Sequence, residues 1–204
     1  MDEDLFMLLK GQRDKKTTLA VLEAGHQKGN GPPGFGILNN EETTLELPYV
    51  RLRPGSKQPY IYKSQIFTDS PVAGLFGGLV FGLHETQAKM VPPNSSDALN
   101  YDQDTVGWFK IERVAMQPQD TSGVDWKDIS NQPWFTDGPL CGRHVYNVAP
   151  TISLRGDVQL LPSVLKEPNP AAEPLAFFDV EGIRMNAHFK IIGPASCAAF
   201  DTAA

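Results

Sequence analysis

The 204-residue sequence has only two cysteines, Cys141 and Cys197, too few for the disulfide framework of a small secreted domain. It has no run of roughly 18–20 apolar residues, so we expect no membrane-spanning helix. Positive charge is scarce, because 18 Lys and Arg stand against 24 Asp and Glu. A nucleic-acid surface needs clustered cations and a signal peptide needs a positive start, whereas this chain opens with three acidic residues at 2–4. We therefore predict a reducing, cytoplasmic location with no membrane and no nucleic-acid partner.

Glycine and proline are abundant, with 18 and 17 residues spread along the chain. Such frequent turn residues favour a β-rich fold over a helical bundle. The length suits a single domain covering residues 1–204. Alternating or β-branched patterns predict strands at 43–52, 60–67, 104–116, 145–154 and 181–191. Residues 2–10 are predicted to form a short amphipathic helix, and residues 25–36 a loop.

One segment changes from strand to helical periodicity. Its apolar residues recur at helical spacing, namely Val72, Leu75, Phe76, Leu79, Val80 and Leu83. Asp69 or Ser70 can cap the helix, Pro71 suits its first position, and Gly82 can end it. We therefore predict a short glycine-rich helix at about 71–82. Gly74, Gly77 and Gly78 lack side chains, which would let another backbone or a ligand come close.

Three groups of residues are candidates for chemistry. His84 and Glu85 follow the glycine-rich helix, and an imidazole beside a carboxylate can form an acid–base pair, although the pair could simply be exposed. Lys63 lies in an apolar, aromatic strand, where a desolvated amine becomes a nucleophile more easily, unless it reaches water. His188 shares a polar strand face that would be solvated on an open sheet but would line a cavity in a barrel.

A metal centre is not predicted. Cys141 and His144 are three residues apart, but zinc needs three or four ligands and no second pair has matching spacing. The alternative is a small buried thiol at Cys141 and a surface histidine at His144. No cofactor signature is present either, because the glycines at 74–78 lack the spacing and the ending of a phosphate-binding loop.

Residues 60–90 resemble the acetoacetate decarboxylase-like superfamily. In that family a strand leads to a Pro and an Ala-Gly pair that open a short helix, as in Pro71-Val72-Ala73-Gly74. Residues 81–88 match the family's segment after the helix. Residues 104–107 and 174–191 resemble its next strand and its closing region. The resemblance implies an α+β, β-dominated fold, with a curved antiparallel sheet or open barrel around a small-molecule pocket.

The chain departs from this family at its reactive residues. The decarboxylases carry a Schiff-base lysine and a neighbouring lysine that lowers its pKa. Glu85 and Thr86 occupy these two positions here, and Ser70 replaces an acidic residue before the helix. The resemblance therefore implies the scaffold without the imine chemistry.

Our first hypothesis is a cofactor-independent lyase, dehydratase, isomerase or cyclase for a carbonyl-containing metabolite, secondary metabolites included. His84 and Glu85 would transfer protons, and Lys63 or Arg51 would hold a carboxylate or enolate. Further pocket residues would be Tyr60, Tyr62, Phe76 and His188. The alternatives are a non-catalytic small-ligand-binding protein, and a decarboxylase that uses Lys63 or Lys89. A homo-oligomer stays open.

Overall fold

The computed structural model describes residues 2–13, 16–30, 38–91, 103–105, 108–117, 126–160, 173 and 175–201. Its eleven strands are β1 Asp2–Arg13, β2 Lys16–Asn30, β3 Leu38–Val50, β4 Tyr60–Thr68, β5 Glu85–Gln87, β6 Met90–Val91, β7 Gln103–Thr105, β8 Phe109–Gln117, β9 Pro133–Phe135, β10 Leu140–Leu160 and β11 Leu175–Ser196. Its helices are α1 Pro71–Phe76, followed by a π-helical turn Gly77–Phe81, α2 Trp126–Ser130 and α3 Ala198–Asp201. The prediction of a strand-dominated fold with one short glycine-rich helix is confirmed.

The strands form one curled sheet. Its order is β11-β1-β2-β3-β4-β9-β10-β8-β7-β6, and β11 also pairs with β10, so the path turns back on itself as a half-barrel. The pairings are antiparallel except for β4, which runs parallel to β5 and to β9. The sheet is therefore mixed, whereas the sequence predicted an antiparallel one.

Three predicted elements differ in the structure. Residues 2–10 lie in β1, not in a helix, because they pair with β2 on one side and β11 on the other. The predicted strand 104–116 is two antiparallel strands, β7 and β8. The predicted loop 25–36 begins inside β2, which continues to Asn30, and residues 31–36 lie outside the described residues.

The apolar core of the described residues forms three clusters. The first contains Leu22, Phe67, Met90, Val158 and Val180, and the second contains Val21, Trp126, Ile129, Ile183 and Ala187. The third joins Tyr60, Cys141 and Phe200 near the C-terminal end of the described chain. Among the described helices, none has both the length and the hydropathy needed to cross a membrane.

Cys141 and Cys197 form a disulfide, so the prediction of an unpaired Cys141 thiol is wrong. The two residues are 56 positions apart, but the antiparallel pairing of β10 and β11 places Cys141 opposite Ala195. The cysteine Cα atoms lie 4.9 Å apart, within the usual range for a disulfide. The bond also removes the Cys141 thiolate that a Cys141–His144 metal pair would require. The predicted cytoplasmic location stays a prediction.

Reduction of this disulfide is expected to lower the free energy of unfolding by about 4 kcal/mol, because a loop of this length gains chain entropy when it opens. The melting temperature should fall by roughly 10 °C, measured by calorimetry with and without a strong reductant. A Cys141→Ser/Cys197→Ser double variant should match the reduced parent and be indifferent to reductant. An unchanged melting temperature in protein with two titratable thiols would contradict this expectation.

Candidate active site

Glu85 begins β5, and the glycine-rich helix determines where it lies. Ser70 caps α1 by accepting a hydrogen bond from the Ala73 backbone N–H, and Pro71 occupies the first helical position. Gly82 ends the π-helical turn with a left-handed backbone, φ 68°, and its N–H bonds back to the turn. The chain then returns beside β4, where Glu85 pairs with Ile66. The predicted helix start and end are thus confirmed, and they deliver Glu85 to the sheet.

The glycines of this helix make room for the Glu85 side chain. A Cβ at Gly77 would collide with Glu85 Oε1, and a Cβ at Gly74 would lie 3.6 Å from Glu85 Oε2. The Glu85 carboxyl group therefore occupies the space that the missing glycine side chains leave free. Glu85 Oε2 is buried and has no hydrogen-bond partner among the described residues.

Lys63 is a buried cation whose charge acts on this carboxyl group. It lies on β4 directly opposite Glu46 of β3, and its side chain is 3% exposed. The Lys63 Nζ atom is 2.9 Å from Glu46 Oε1 and 3.5 Å from Glu23 Oε2 on β2. Three adjacent strands thus place one ammonium group between two carboxyl groups.

Two polar side chains of β10, Tyr146 and His144, extend the cluster. The Tyr146 hydroxyl donates a 2.8 Å hydrogen bond to Glu23 Oε1 and lies 3.3 Å from His144 Nδ1. The His144 ring is enclosed by the rings of Trp134, Tyr146 and Phe189. Burial, and then the Lys63 charge, lower the pKa of His144 to about 3. His144 is therefore a neutral imidazole at physiological pH.

The carboxyl groups differ in their affinity for a proton. Burial raises the pKa of Glu46 to about 8 despite the adjacent Lys63. Burial and the Glu42 carboxyl group raise the pKa of Glu85 to about 8, and burial also raises that of Glu42. For Glu23, burial is outweighed by Lys63 and by hydrogen bonds from Glu46 and Tyr146, so its pKa is lowered. Near neutral pH the cluster therefore holds the Lys63 ammonium group, the Glu23 carboxylate and the protonated carboxylic acids of Glu46 and Glu85.

Trp134 contacts both this cluster and the π-helical turn. Its ring lies against Gly142, where a Cβ would clash, and its centroid is 5.9 Å from Lys63 Nζ. Phe81, at the end of the π-helical turn, packs edge-on against it at 6.1 Å. The Trp134 Nε1–H is buried and has no acceptor among the described residues. The helix thus contacts the cluster through an aromatic pair as well as through Glu85.

Of the predicted site residues, Glu85 and Lys63 are linked by electrostatics, because the Lys63 charge lowers the pKa of Glu85 against the effect of burial. His84 is exposed, so it does not share the buried environment of Glu85. Arg51 is exposed and donates to the Ser56 carbonyl oxygen at 2.9 Å. His188 is exposed on β11, and Phe76 is 43% exposed on α1.

The two predicted tyrosines alternate with Lys63 along β4 and so face the other side of the strand. Tyr60 is buried, and its hydroxyl donates to Asp201 Oδ1 at 2.7 Å beside the disulfide. The Tyr62 hydroxyl donates to Asp137 at 2.7 Å, and its ring packs on Phe135. Both hydroxyl groups are therefore bonded to carboxyl groups outside the cluster, and the pocket role of the two tyrosines stays a prediction.

The expectation of a surface His144 is wrong, because its ring is buried. The other residues of the cluster that were not predicted are Glu23, Glu42, Glu46, Trp134 and Tyr146. A signal existed on β3, where Glu42, Thr44 and Glu46 alternate with period two. Leu45, Leu47 and Tyr49 lie on the less buried face of this strand, while Thr44 and Glu46 are almost fully buried. In the described ranges, no group of three His, Cys, Asp or Glu side chains is placed to hold a metal ion.

Comparisons with known proteins find relatives by structure alone. No family model and no curated protein matches the sequence. One similar solved structure is the enduracididine biosynthesis enzyme MppR, complexed with the condensation product of pyruvate and imidazole 4-carboxaldehyde. It has a TM-score of 0.57 and 12% identity over 96% of this chain and 87% of that chain.

Two acetoacetate decarboxylase structures are similarly close. The enzyme from Legionella pneumophila has a TM-score of 0.55 and 14% identity, over 95% of this chain and 86% of that chain. A second has a TM-score of 0.53 and 11% identity, over 94% and 86%. Identities this low establish the fold and not the activity. The resemblance first seen in residues 60–90 extends to the whole architecture, and the chain has the acetoacetate decarboxylase-like fold.

Proposed function

We propose that this protein is an enzyme that acts on a small carbonyl compound by general acid–base catalysis, with Glu85 as the proton-transferring residue. The observation that carries the proposal is the state of the Glu85 carboxyl group. It is largely buried, its Oε2 atom has no hydrogen-bond partner among the described residues, and its pKa is raised to about 8. A carboxylic acid that titrates close to neutral pH is suited to donating and accepting protons within one turnover.

The chemistry follows from the two protonation states of Glu85. The protonated form can donate to a carbonyl oxygen or a leaving hydroxyl group, and the ionised form can remove a proton from the carbon next to a carbonyl. Lyase, dehydratase, isomerase and cyclase reactions of carbonyl compounds share such a proton transfer. The exposed His84 has no part in this proposal, which therefore narrows the predicted acid–base pair to Glu85.

Lys63 has an electrostatic role in this proposal. Its ammonium group is already engaged by Glu46 and Glu23, so we do not assign it to a substrate carboxylate. Its charge instead keeps Glu23 ionised and acts against the full pKa increase of Glu85. The pKa of Glu85 near 8, and not higher, is the consequence that matters for catalysis.

The test is the exchange of carbon-bound protons in D₂O, followed by proton NMR. Pyruvate, acetoacetate and other 2-oxo and 3-oxo acids form the panel, and pyruvate is included because the MppR structure contains a product derived from it. We expect exchange at the carbon next to the carbonyl group of at least one compound, with a pH dependence that changes near pH 8 as Glu85 ionises. Binding without exchange would instead support the non-catalytic ligand-binding alternative. The absence of both binding and exchange would contradict the enzyme proposal and the ligand-binding alternative alike.

The decarboxylase alternative requires an imine between a lysine and the substrate, and a borohydride experiment tests for that imine. Neither Glu85 nor Thr86 can form an imine, and the carboxyl groups around Lys63 raise its pKa despite burial, which keeps it protonated and non-nucleophilic. Acetoacetate followed by borohydride should therefore leave the intact mass unchanged, whereas an authentic acetoacetate decarboxylase treated in parallel should gain an adduct. A stable adduct mapped to Lys63 or to the exposed Lys89 would favour the decarboxylase alternative.

A further inference from the structure

The indole N–H of Trp134 is a buried hydrogen-bond donor that no acceptor in the described part of the chain uses. The side chain is 3% exposed, and its Nε1 atom has no partner among the described residues. Gln132 and Arg143 also have a buried nitrogen without a partner there, but each makes a hydrogen bond through another side-chain atom. Tryptophan has no other polar side-chain atom, so its whole hydrogen-bonding capacity is unused. Because a buried unpaired donor costs free energy, it points to a ligand atom that accepts from it.

The position of the Trp134 ring is fixed by its neighbours. Its backbone on β9 lies between β4 and β10, opposite Ile61 on one strand and Gly142 on the other. The ring packs so closely on Gly142 that a Cβ there would lie 2.4 Å from the ring atom Cζ2. Phe81 packs edge-on against the same ring. A donor held in this way needs little reorganisation to bind an oxygen atom, which is the property that makes a donor effective in catalysis.

Two structural links relate this donor to Glu85. The first is the π-helical turn, in which Phe81 packs on Trp134 while Gly77, about one turn earlier, lies against the Glu85 carboxyl group. The second is Lys63, whose Nζ atom is 5.9 Å from the Trp134 ring centroid and whose charge also acts on Glu85. The unused donor and the proposed proton-transferring group therefore belong to one site.

The proposed reaction needs a donor of this kind. When the Glu85 carboxylate removes a proton from the carbon next to a carbonyl group, the C–H electron pair forms a carbon–carbon double bond and the carbonyl π pair moves to oxygen. An imine would accept this pair on nitrogen, but neither Glu85 nor Thr86 can form one, so the charge develops on oxygen. Lys63 is engaged by its own carboxyl partners.

We propose that the Trp134 Nε1–H donates a hydrogen bond to the substrate carbonyl oxygen and stabilises the enolate that forms when Glu85 takes the proton. The enolate returns to the carbonyl form when Glu85 gives the proton back, so no atom or electron is gained or lost. The inference rests on the proposed function and names its substrate class, a ketone or aldehyde that enolises without covalent attachment to the protein. The nearby Lys63 charge favours the same developing anion.

The test compares Trp134→Phe with Trp126→Phe in the D₂O exchange assay. Phenylalanine keeps an apolar ring at position 134 but has no N–H, so kcat should fall about 10²–10³-fold, as when one oxyanion donor is removed, with a smaller change in KM. The rate should still change near pH 8, because Glu85 still transfers the proton. Trp126 is the matched control, since it is buried in the second core cluster and its replacement should leave the rate at the parental value.

A second measurement needs no activity. The chain has three tryptophans, so ¹⁵N-labelled indole groups should give three N–H signals in an NMR spectrum, and Trp134→Phe identifies the signal of Trp134. Oxalate, a planar analogue of the pyruvate enolate, is the probe, and it should shift that signal as the N–H gains an acceptor.

The outcomes separate this inference from the proposed function. Exchange that is as fast in Trp134→Phe as in the parent, or equally slowed in Trp126→Phe, would overturn the role of Trp134 while the proposed function stands. If the parent exchanges no compound, the proposed function fails, and the oxalate titration decides the contact alone. A shifted Trp134 signal would then support the hydrogen bond to a ligand oxygen, and an unshifted one would overturn it.

Discussion

A Glu85→Gln variant is expected to exchange or turn over its carbonyl substrate about 10²–10⁴-fold more slowly than the parent, the usual contribution of a general acid–base residue. Glutamine keeps the shape that fits between Gly74 and Gly77 but cannot lose or regain a proton. The measurement is the rate of α-proton exchange at saturating substrate. Because the Glu85 carboxyl group is already largely neutral at pH 7, the substitution should leave the melting temperature nearly unchanged.

Glu181→Gln provides the control for this prediction. Glu181 lies on β11 and is 3.6 Å from Arg155, away from Lys63 and its carboxyl partners, so it should keep the parental rate. A loss of activity in both variants would indicate a general effect of removing negative charge. Full activity in Glu85→Gln would contradict the catalytic assignment and leave the fold assignment unaffected.

The free energy of unfolding is expected to fall as the pH rises from 6.5 to 8.5. The folded protein holds protons on Glu46 and Glu85 up to about pH 8, whereas the unfolded chain releases them near pH 4.5. The folded state therefore binds more protons in this window, and raising the pH favours the unfolded state. For the fully buried Glu46 the loss is on the order of 1–2 kcal/mol.

The raised pKa of Glu42 acts in the same direction as those of Glu46 and Glu85, and the remaining perturbed groups of the cluster act outside this window. The lowered pKa of Glu23 affects stability in acid, that of His144 affects it below about pH 6.5, and the raised pKa of Lys63 affects it only above pH 10.5. Urea unfolding at the two pH values measures the effect. Glu46→Gln should reduce the pH dependence and make the protein at least as stable as the parent at pH 8.5. An equal dependence in Glu46→Gln, or a parent that is more stable at pH 8.5, would contradict the assignment.

Local signals in the sequence predicted the glycine-rich helix well. The Ser70 cap, Pro71 and Gly82 act within a few residues, so their effect needs no knowledge of the rest of the chain. The sequence did not predict in which direction the apolar residues of this helix face. Periodicity identifies a face but not which side the protein lies on, and the need to admit Glu85 turned the glycines inward and the leucines outward.

Residues 2–10 show how long-range pairing overrides a local pattern. Leu5, Phe6, Leu8 and Leu9 fit helical spacing as well as strand spacing. What decides is β11, roughly at the other end of the chain, which supplies hydrogen bonds along one edge while β2 supplies them along the other. Nothing within the segment itself could have indicated these partners.

The cluster around Lys63 was only partly accessible for the same reason. Its members come from six strands, β2 to β5, β9 and β10, and Tyr146 reaches Glu23 across 123 positions of sequence. Glu85 was found because it follows a recognisable helix, and Lys63 because it interrupts an apolar strand. The disulfide depends on the register of β10 against β11, which no spacing between Cys141 and Cys197 reveals.

The double pairing of β11 has a consequence for the order in which the molecule can assemble. β11 supplies a partner to β1, with Asp2 opposite Ala187, and also to β10, with Tyr146 opposite Phe189. During synthesis, β1 leaves the ribosome more than 160 residues before this partner exists. The hairpin of β1 and β2 can form early, but the curled sheet can complete only when β11 has emerged, so this sheet must finish folding after β11 has been translated.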